Sequence, residues 1–190
     1  MKQSTAAAAI CLSLLAGCRH AEEKSATPPP VLAEEVHSPK ANSPQPYYYG
    51  LVEEYRTILE EDPKNFAAVV ALGNAYFDSG HWQEAIRWYE RARTLNPRNP
   101  DVLTDLGTAY RNAGEPARAL AQYRRALELE PGHVEAHYNM GIVYAYDIRD
   151  YAVATRMWEE LLRIAPNHPH AAYVRSSLAL FKKRLKKDAQ

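Results

Sequence analysis

Cysteine is scarce in this sequence, with only Cys11 and Cys18 among 190 residues, which excludes a small fold built on disulfides. An excess of one charge is also lacking. Because 23 lysine and arginine residues balance 23 aspartate and glutamate residues, the composition gives no reason to expect nucleic-acid binding. The sequence contains no Gly-rich phosphate loop and no Gly-x-Ser-x-Gly turn. The hydrophobic fraction of 46% and the charged fraction of 24% exclude both a wholly disordered chain and an integral membrane bundle.

The N-terminus carries a short apolar segment over residues 5–17, preceded by a single positive charge. This segment is shorter than the stretch of about 20 residues that a membrane-spanning helix needs, and its form is typical of a secretory signal peptide. It ends in Leu15-Ala16-Gly17-Cys18, which resembles the bacterial lipobox. The resemblance implies cleavage before Cys18 and lipidation of that residue. The alternatives are an ordinary signal peptide followed by a chance cysteine, and a buried helix of the protein core.

A lipidated Cys18 predicts a protein of the bacterial cell envelope, held there by acyl chains that each add about 0.8 kcal/mol per buried methylene. In enteric lipoproteins an aspartate after the cysteine directs retention in the inner membrane. Arg19 stands at that position here, so the resemblance favours the outer membrane, with the protein facing the periplasm.

Residues 19–46 are rich in proline and poor in large apolar side chains. Proline cannot continue a helix, and without apolar residues a segment cannot form a core. We therefore expect a disordered tether of roughly 30 Å as a flexible coil, which holds the folded part away from the membrane. A leader without a function is the alternative.

A period of 34 residues runs through the rest of the chain, as the spacing of Pro63, Pro97 and Pro131 shows, and Pro166 follows after 35 residues. Such a period is typical of stacked helical hairpins. Each unit has the same order of residue types: Val69-x2-Leu72-Gly73-x2-Tyr76 with Ala85-x3-Tyr89, then Leu103-x2-Leu106-Gly107-x2-Tyr110 with Ala119-x3-Tyr123, then His137-x2-Met140-Gly141-x2-Tyr144 with Ala154-x3-Trp158.

This pattern resembles the tetratricopeptide repeat over residues 66–168. The resemblance implies an all-α fold, a right-handed α-solenoid of three helical hairpins with a flanking helix at each end. The predicted units are a signal peptide over 1–17, the lipidated cysteine and tether over 18–46, a half-repeat that caps the N-terminus over 47–65, repeats over 66–99, 100–133 and 134–168, and a C-terminal capping helix with a basic tail over 169–190.

Residue types at fixed positions support this assignment independently. Glycine at residues 73, 107 and 141 is expected where two helices approach closely, and Asn65 and Asn99 are good helix N-caps. The third unit departs from the pattern. It has one extra residue between Tyr144 and Ala154, which predicts a longer turn over residues 147–151 and wider packing there.

In solenoids of this family the first helices line a concave groove that binds a peptide or a partner helix. By register, the predicted partner-binding positions are Val70, Asn74, Phe77, Asp78, Asp101, Thr104, Asp105, Thr108, Arg111, Asn112, Glu135, Tyr138, Asn139, Ile142 and Tyr146. Relatives that bind the carboxylate terminus of chaperones have Lys, Arg and Asn in this groove. Here Val70, Asp105 and Glu135 stand where such donors belong, so we expect a basic or polar-aromatic segment as the partner. For each residue, a merely solvated side chain is the alternative.

Positive charge concentrates at the C-terminus, where residues 175–190 hold six Lys and Arg against one acidic residue. Such a run could contact anionic lipid or a partner. A solvated helix end, whose cations complement the helix dipole, is the alternative.

The sequence offers no catalytic residues, no cofactor site and no metal site that we would predict. His133 and His137 are four residues apart, and His168 and His170 lie about one repeat further on. A zinc protease would need a glutamate among them. No cysteine ligand is expected either, because cleavage would remove Cys11 and lipidation would modify Cys18. His133 and His168 occupy equivalent loops between repeats, where we expect a capping or a solvated histidine.

These features predict a non-catalytic, lipid-anchored adaptor that docks a protein partner in its groove. By architecture it resembles outer-membrane lipoproteins that assist the assembly of type IV pili or secretins. A second hypothesis within the adaptor class is a scaffold for cell-wall hydrolases. A metal-binding or enzyme accessory protein built on the histidines is the alternative of another class.

Overall fold

A computed structural model describes residues 45–190, and these residues form eight α-helices and no β-strand. Each helix packs against the next one along the chain. The predicted all-α solenoid, with three hairpins and one flanking helix at each end, is confirmed. The helices are α1 (Gln45–Glu61), α2 (Phe66–Asp78), α3 (Trp82–Leu95), α4 (Pro100–Asn112), α5 (Pro116–Leu129), α6 (Val134–Ile142), α7 (Tyr151–Ile164) and α8 (Ala171–Asp188).

The predicted signal peptide, the lipidated Cys18 and the tether as far as residue 44 lie outside the described residues. The first helix begins at Gln45, two residues before the predicted start of the folded part. Pro46 is therefore in its first turn, a position where proline is tolerated because no backbone N–H is needed there. None of the described helices is long and apolar enough to cross a membrane.

Glycine permits the close approach of the two helices in each hairpin. A Cβ atom at Gly73 would lie 2.6 Å from Cδ1 of Tyr89, and one at Gly107 would lie 2.5 Å from Cε1 of Tyr123. In the third hairpin the corresponding Cβ, at Gly141, would collide with the indole ring of Trp158. The aromatic ring of the second helix thus occupies the space that a side chain on the first helix would need.

The extra residue of the third unit lies in a helix and not in a turn. The first two hairpins turn through glycines with positive φ, 80° at Gly80 and 82° at Gly114. In the third hairpin Arg149, with φ of 66°, takes that position, and the π-helix Val143–Ile148 that continues α6 accommodates the insertion. The expected longer turn was therefore wrong, since a π-helix widens by one residue without changing the connection that follows.

Side chains at equivalent positions of the three repeats cap the N-terminus of the first helix of each hairpin. Asn65 Oδ1 accepts a hydrogen bond from the backbone N–H of Ala68 at 3.0 Å, and Asn99 Oδ1 accepts one from Val102 at 3.0 Å. Both predicted N-caps are confirmed. In the third unit His133 does the same through Nδ1, which accepts from the N–H of Ala136 at 3.2 Å.

Both ends of the solenoid are covered by the flanking helices. Val52 and Leu59 of α1 are buried against the first hairpin. At the other end Val174 and Phe181 of α8 are buried, and the ring of Phe181 stacks on Trp158 with 5.7 Å between ring centroids. The terminal hairpins therefore expose little of the apolar surface that an unfinished repeat would present.

Candidate functional site

The predicted groove positions lie on α2, α4 and the helical segment formed by α6 and its π-helix, and they differ in how much surface they present. Four are exposed, namely Asn74, Asp78, Asp101 and Glu135. Seven are half-buried, namely Val70, Asp105, Thr108, Arg111, Asn112, Asn139 and Tyr146. Four are buried, namely Phe77, Thr104, Tyr138 and Ile142.

The four buried positions form the wall of the groove and present little surface. Phe77 packs edge-on against Trp82, with 5.1 Å between ring centroids, and Tyr138 stacks on His170 at 4.8 Å. The hydroxyl of Thr104 donates to the carbonyl of Pro100 in its own helix at 2.9 Å. Helical register identifies the side of a helix on which a residue lies, but a neighbouring loop or helix decides how deeply that residue is buried.

Hydrogen bonds from the second helices hold the polar residues in the groove floor. The hydroxyl of Tyr89 donates to Asn74 Oδ1 at 2.8 Å. One repeat later, the hydroxyl of Tyr123 lies 3.1 Å from Thr108 Oγ1, which also accepts from Asn139 Nδ2 at 3.3 Å. Burial raises the pKa of both tyrosines well above its usual value. These hydroxyls therefore act as hydrogen-bonding groups that hold Asn74 and Thr108 in place.

Asp105 is the most perturbed carboxylate in the groove. Burial, and next the negative charge of Asp101, raise the pKa of Asp105 from 3.8 to about 6. Nearby His133 partly opposes this shift, whereas Asp78 and Glu135 add to it. Within the described part of the chain no group donates a hydrogen bond to Asp105. The centre of the groove thus holds a carboxylate whose negative charge has no dedicated partner.

Two histidines contact the acidic residues beside Asp105. His133 Nε2 lies 3.0 Å from Asp101 Oδ1, and His168 Nε2 lies 3.2 Å from Glu135 Oε1. In both histidines Nδ1 accepts a backbone N–H, so the proton of a neutral ring is on Nε2 and donates to the carboxylate. Both rings are buried, whereas the carboxylates are exposed. His133 therefore caps α6, and both histidines hold a groove carboxylate in place.

Arg111 is engaged within the fold. Its Nε donates to Asp147 Oδ2 at 2.6 Å and its Nη2 to Asp147 Oδ1 at 3.3 Å. This two-point ion pair joins α4 to the end of the π-helix, and its side chains are 20% exposed for Arg111 and 26% exposed for Asp147. Because Arg111 is neutralised by a residue that was not among the predicted positions, the groove is more acidic than its sequence indicates.

Two features of the groove were missed by the sequence reasoning. Asp147 carries no sequence signal, because its position depends on the π-helix that absorbs the insertion. The histidine–carboxylate pairs do carry one, since an acidic residue and a histidine recur about one period apart, first as Asp101 with His133 and then as Glu135 with His168. Among the described residues no cluster of three or more His, Cys, Asp or Glu side chains has the arrangement of a metal site.

The basic run near the C-terminus is partly engaged within α8 and with its neighbour. Lys182 Nζ lies 2.6 Å from Glu159 Oε1, and Arg184 stands over the ring of Tyr151 at 4.8 Å. Arg184 also lies 4.0 Å from Asp188. These contacts show that part of this charge helps to seat the capping helix.

Comparison with known proteins finds repeats of a known family in part of the chain. The family model described as TPR repeat matches residues 73–114 and 107–146, so the chain contains tetratricopeptide repeats. Proteins with this fold generally act as non-catalytic scaffolds for protein interactions. No curated protein matches the sequence.

Many solved structures resemble this chain, and two of them illustrate the likeness. The crystal structure of MamA is 24% identical with a TM-score of 0.61, over 75% of this chain and 89% of that chain. The first TPR of Spaghetti (RPAP3) bound to HSP90 peptide SRMEEVD is 24% identical with a TM-score of 0.59, over 66% of this chain and 96% of that chain. At this identity the likeness shows the fold.

Proposed function

We propose that this protein is a lipid-anchored adaptor of the bacterial cell envelope that binds a basic segment of a partner protein in the groove formed by α2, α4 and α6. The lipobox ending at Cys18 supports the anchor, and the repeats support a protein-binding scaffold. Outer-membrane attachment facing the periplasm is part of the proposal.

The choice of partner rests on Asp105, a half-buried carboxylate whose pKa is raised. Keeping a half-buried carboxylate ionised beside other acidic residues is unfavourable, and strongly perturbed groups of this kind concentrate at functional sites. A lysine or arginine side chain of a partner would supply the missing positive charge. Asp101 and Glu135 flank the same groove, and within the described residues each forms its side-chain contact with a histidine and not with a lysine or an arginine. A segment with several basic residues therefore fits the groove best.

A carboxylate-terminated peptide does not fit this groove. The solved relative bound to an HSP90 peptide shares the fold, but the groove here would place a peptide carboxylate beside Asp105 and Glu135. Like charges in a partly desolvated groove repel, so such a ligand would lose affinity and not gain it.

Chemical cross-linking in a Gram-negative host tests the groove. Tagged wild type is compared with Asp105→Asn, which removes the charge at constant size. The matched control is Glu60→Gln, which removes the charge of an exposed carboxylate on α1. We expect the captured partner to be lost with Asp105→Asn and retained with the control, and its capture to weaken at high salt. A partner retained equally by all three proteins would place the binding surface elsewhere.

Metabolic labelling with palmitate tests the anchor separately. Wild type should incorporate label and fractionate with membranes, whereas Cys18→Ala should do neither. An unlabelled wild-type protein would refute the anchor, and this result would leave the proposal for the groove intact.

A further inference from the structure

A second surface, with the opposite charge, lies between α1 and α3. It is a cleft of about 630 Å³ whose walls come from these two helices and from the end of α2. The residues that give it its character are Arg56 on α1 and Arg87, Trp88 and Arg91 on α3. None of them is among the predicted groove positions on α2, α4 and α6.

The cleft carries an excess of positive charge. Its three arginines face a single lining carboxylate, that of Glu84, within the described residues. Arg56 is held by Glu53 at 3.1 Å and by the hydroxyl of Tyr76 at 3.0 Å. Arg87 is exposed and forms no ion pair in the part of the chain that the structure describes. At least one guanidinium is thus available to an incoming anion.

Trp88 adds an apolar wall beside this charge. Its ring is half-buried against the core, and Arg91 Cζ lies 5.2 Å from the ring centroid. Arg91 also donates to the backbone carbonyl of Pro63, so its side chain is held in place. A preformed cation beside an aromatic ring binds an anionic group with less loss of side-chain entropy than a mobile lysine would.

The next cleft of the same solenoid shows that the repeat itself does not require Arg87 or Trp88. Between α3 and α5, Ala121 stands where Arg87 stands in the first cleft, and Gln122 stands in place of Trp88. Glu90 stands in place of Arg56 and accepts a hydrogen bond from the hydroxyl of Tyr110 at 2.7 Å. Arg125 stands in place of Arg91, so the second cleft keeps that arginine and lacks Arg87 and Trp88. The fold therefore needs the tyrosine at this position but not the residue types at 87 and 88.

We propose that the cleft between α1 and α3 binds an acidic segment of a partner protein, with carboxylates at Arg87 and Arg91 and an apolar side chain against Trp88. From Tyr49 to Arg56 the cleft follows about 10 Å of α1, which accommodates about three residues of extended chain. A phosphate or a lipid headgroup would use the arginines but not the indole wall, so the combination favours a peptide. This surface is independent of the groove around Asp105.

Fluorescence anisotropy with full-length protein in detergent tests the proposal. The probe is a fluorescein-labelled peptide, Glu-Leu-Glu-Phe-Glu, and the matched peptide has Gln in place of each Glu. The variant Arg87→Ala/Trp88→Gln installs the residues that α5 carries at the equivalent positions, so the helix tolerates them. Arg125→Ala, which removes an exposed cation from α5, is the control.

We expect saturable binding of the acidic peptide, at least about tenfold weaker for the double variant and for the Gln peptide, and unchanged for Arg125→Ala. Asp105→Asn should bind the probe like wild type, which keeps this test separate from that of the groove. Absence of binding at millimolar probe, or equal binding by wild type and double variant, would overturn the proposal. Binding of phosphatidylglycerol vesicles that the double variant loses, without peptide binding, would assign the cleft to lipid instead.

Discussion

Replacing Asp105 by asparagine should stabilise the protein at neutral pH, which is unusual for a change at a half-buried position. Asparagine has the size of aspartate but no charge, and so it removes the unfavourable ionisation. A change in pKa from 3.8 to about 6 corresponds to about 3 kcal/mol. Because solvent screens part of this interaction, 3 kcal/mol is the upper end of the expected gain.

The gain should depend on pH in a defined direction. The folded chain holds the Asp105 proton more tightly than the unfolded chain, so folding takes up a proton between about pH 4 and pH 6. The contribution of Asp105 to the stability of wild type therefore falls as pH rises through this window, and its full penalty is present above it. The advantage of Asp105→Asn should approach 3 kcal/mol at about pH 7.5 and shrink to about 1 kcal/mol at about pH 4.5.

Urea unfolding of wild type, Asp105→Asn and the control Glu60→Gln at these two pH values measures the effect. The difference between proteins at each pH cancels the titration of the groups they share, and the control should stay within about 0.5 kcal/mol of wild type. The reasoning fails if Asp105→Asn is no more stable than wild type at neutral pH, or if its advantage is the same at both pH values.

Three further substitutions test the fold by the same urea assay. Gly107→Ala should cost about 1–3 kcal/mol, because the added Cβ would lie 2.5 Å from Tyr123 Cε1, whereas Gly132→Ala, with no atom within 4 Å, should be nearly neutral; equal stabilities would disprove the close-approach argument. Asn99→Ala should cost about 1 kcal/mol through loss of the N-cap hydrogen bond, and an unchanged midpoint would contradict that role. Arg149→Gly should gain up to about 1 kcal/mol by relieving a positive φ, and a loss of stability would show that the side chain matters more than the backbone.

The fold could be predicted from the sequence because each structural requirement of the hairpin appears there as a residue type at a fixed interval. Glycine at 73, 107 and 141 matches the three close approaches, and Asn65 and Asn99 match two helix starts. The π-helix could not be predicted in this way. An extra residue changes the spacing between Tyr144 and Ala154 by the same amount whether it lengthens a turn or widens a helix, and only packing distinguishes the two.

The groove was predictable in outline but not in detail. Its acidic character follows from Asp101, Asp105 and Glu135 in the sequence, yet the ionisation of Asp105 depends on burial that register does not reveal. The pairing of Arg111 with Asp147 joins residues 36 positions apart and changes the balance of charge in the groove. Contacts between repeats thus decide which groove residues remain available to a partner.

Comparison of the repeats with one another separates residues that the fold needs from residues that it does not. Tyr76, Tyr110 and Tyr144 recur at one position. The hydroxyl of Tyr76 accepts from Arg56 and that of Tyr144 from Arg124, whereas the hydroxyl of Tyr110 donates to Glu90 and accepts from Arg118. Helix packing therefore requires the tyrosine ring, whereas the residue that its hydroxyl contacts varies between repeats. Where a variable position carries a charge that the fold leaves without compensation, as at residues 87 and 105, packing gives no reason for the charge. Residue 87 lies on a second helix of a hairpin and residue 105 on a first helix, so the two proposed binding surfaces are formed by different sets of helices.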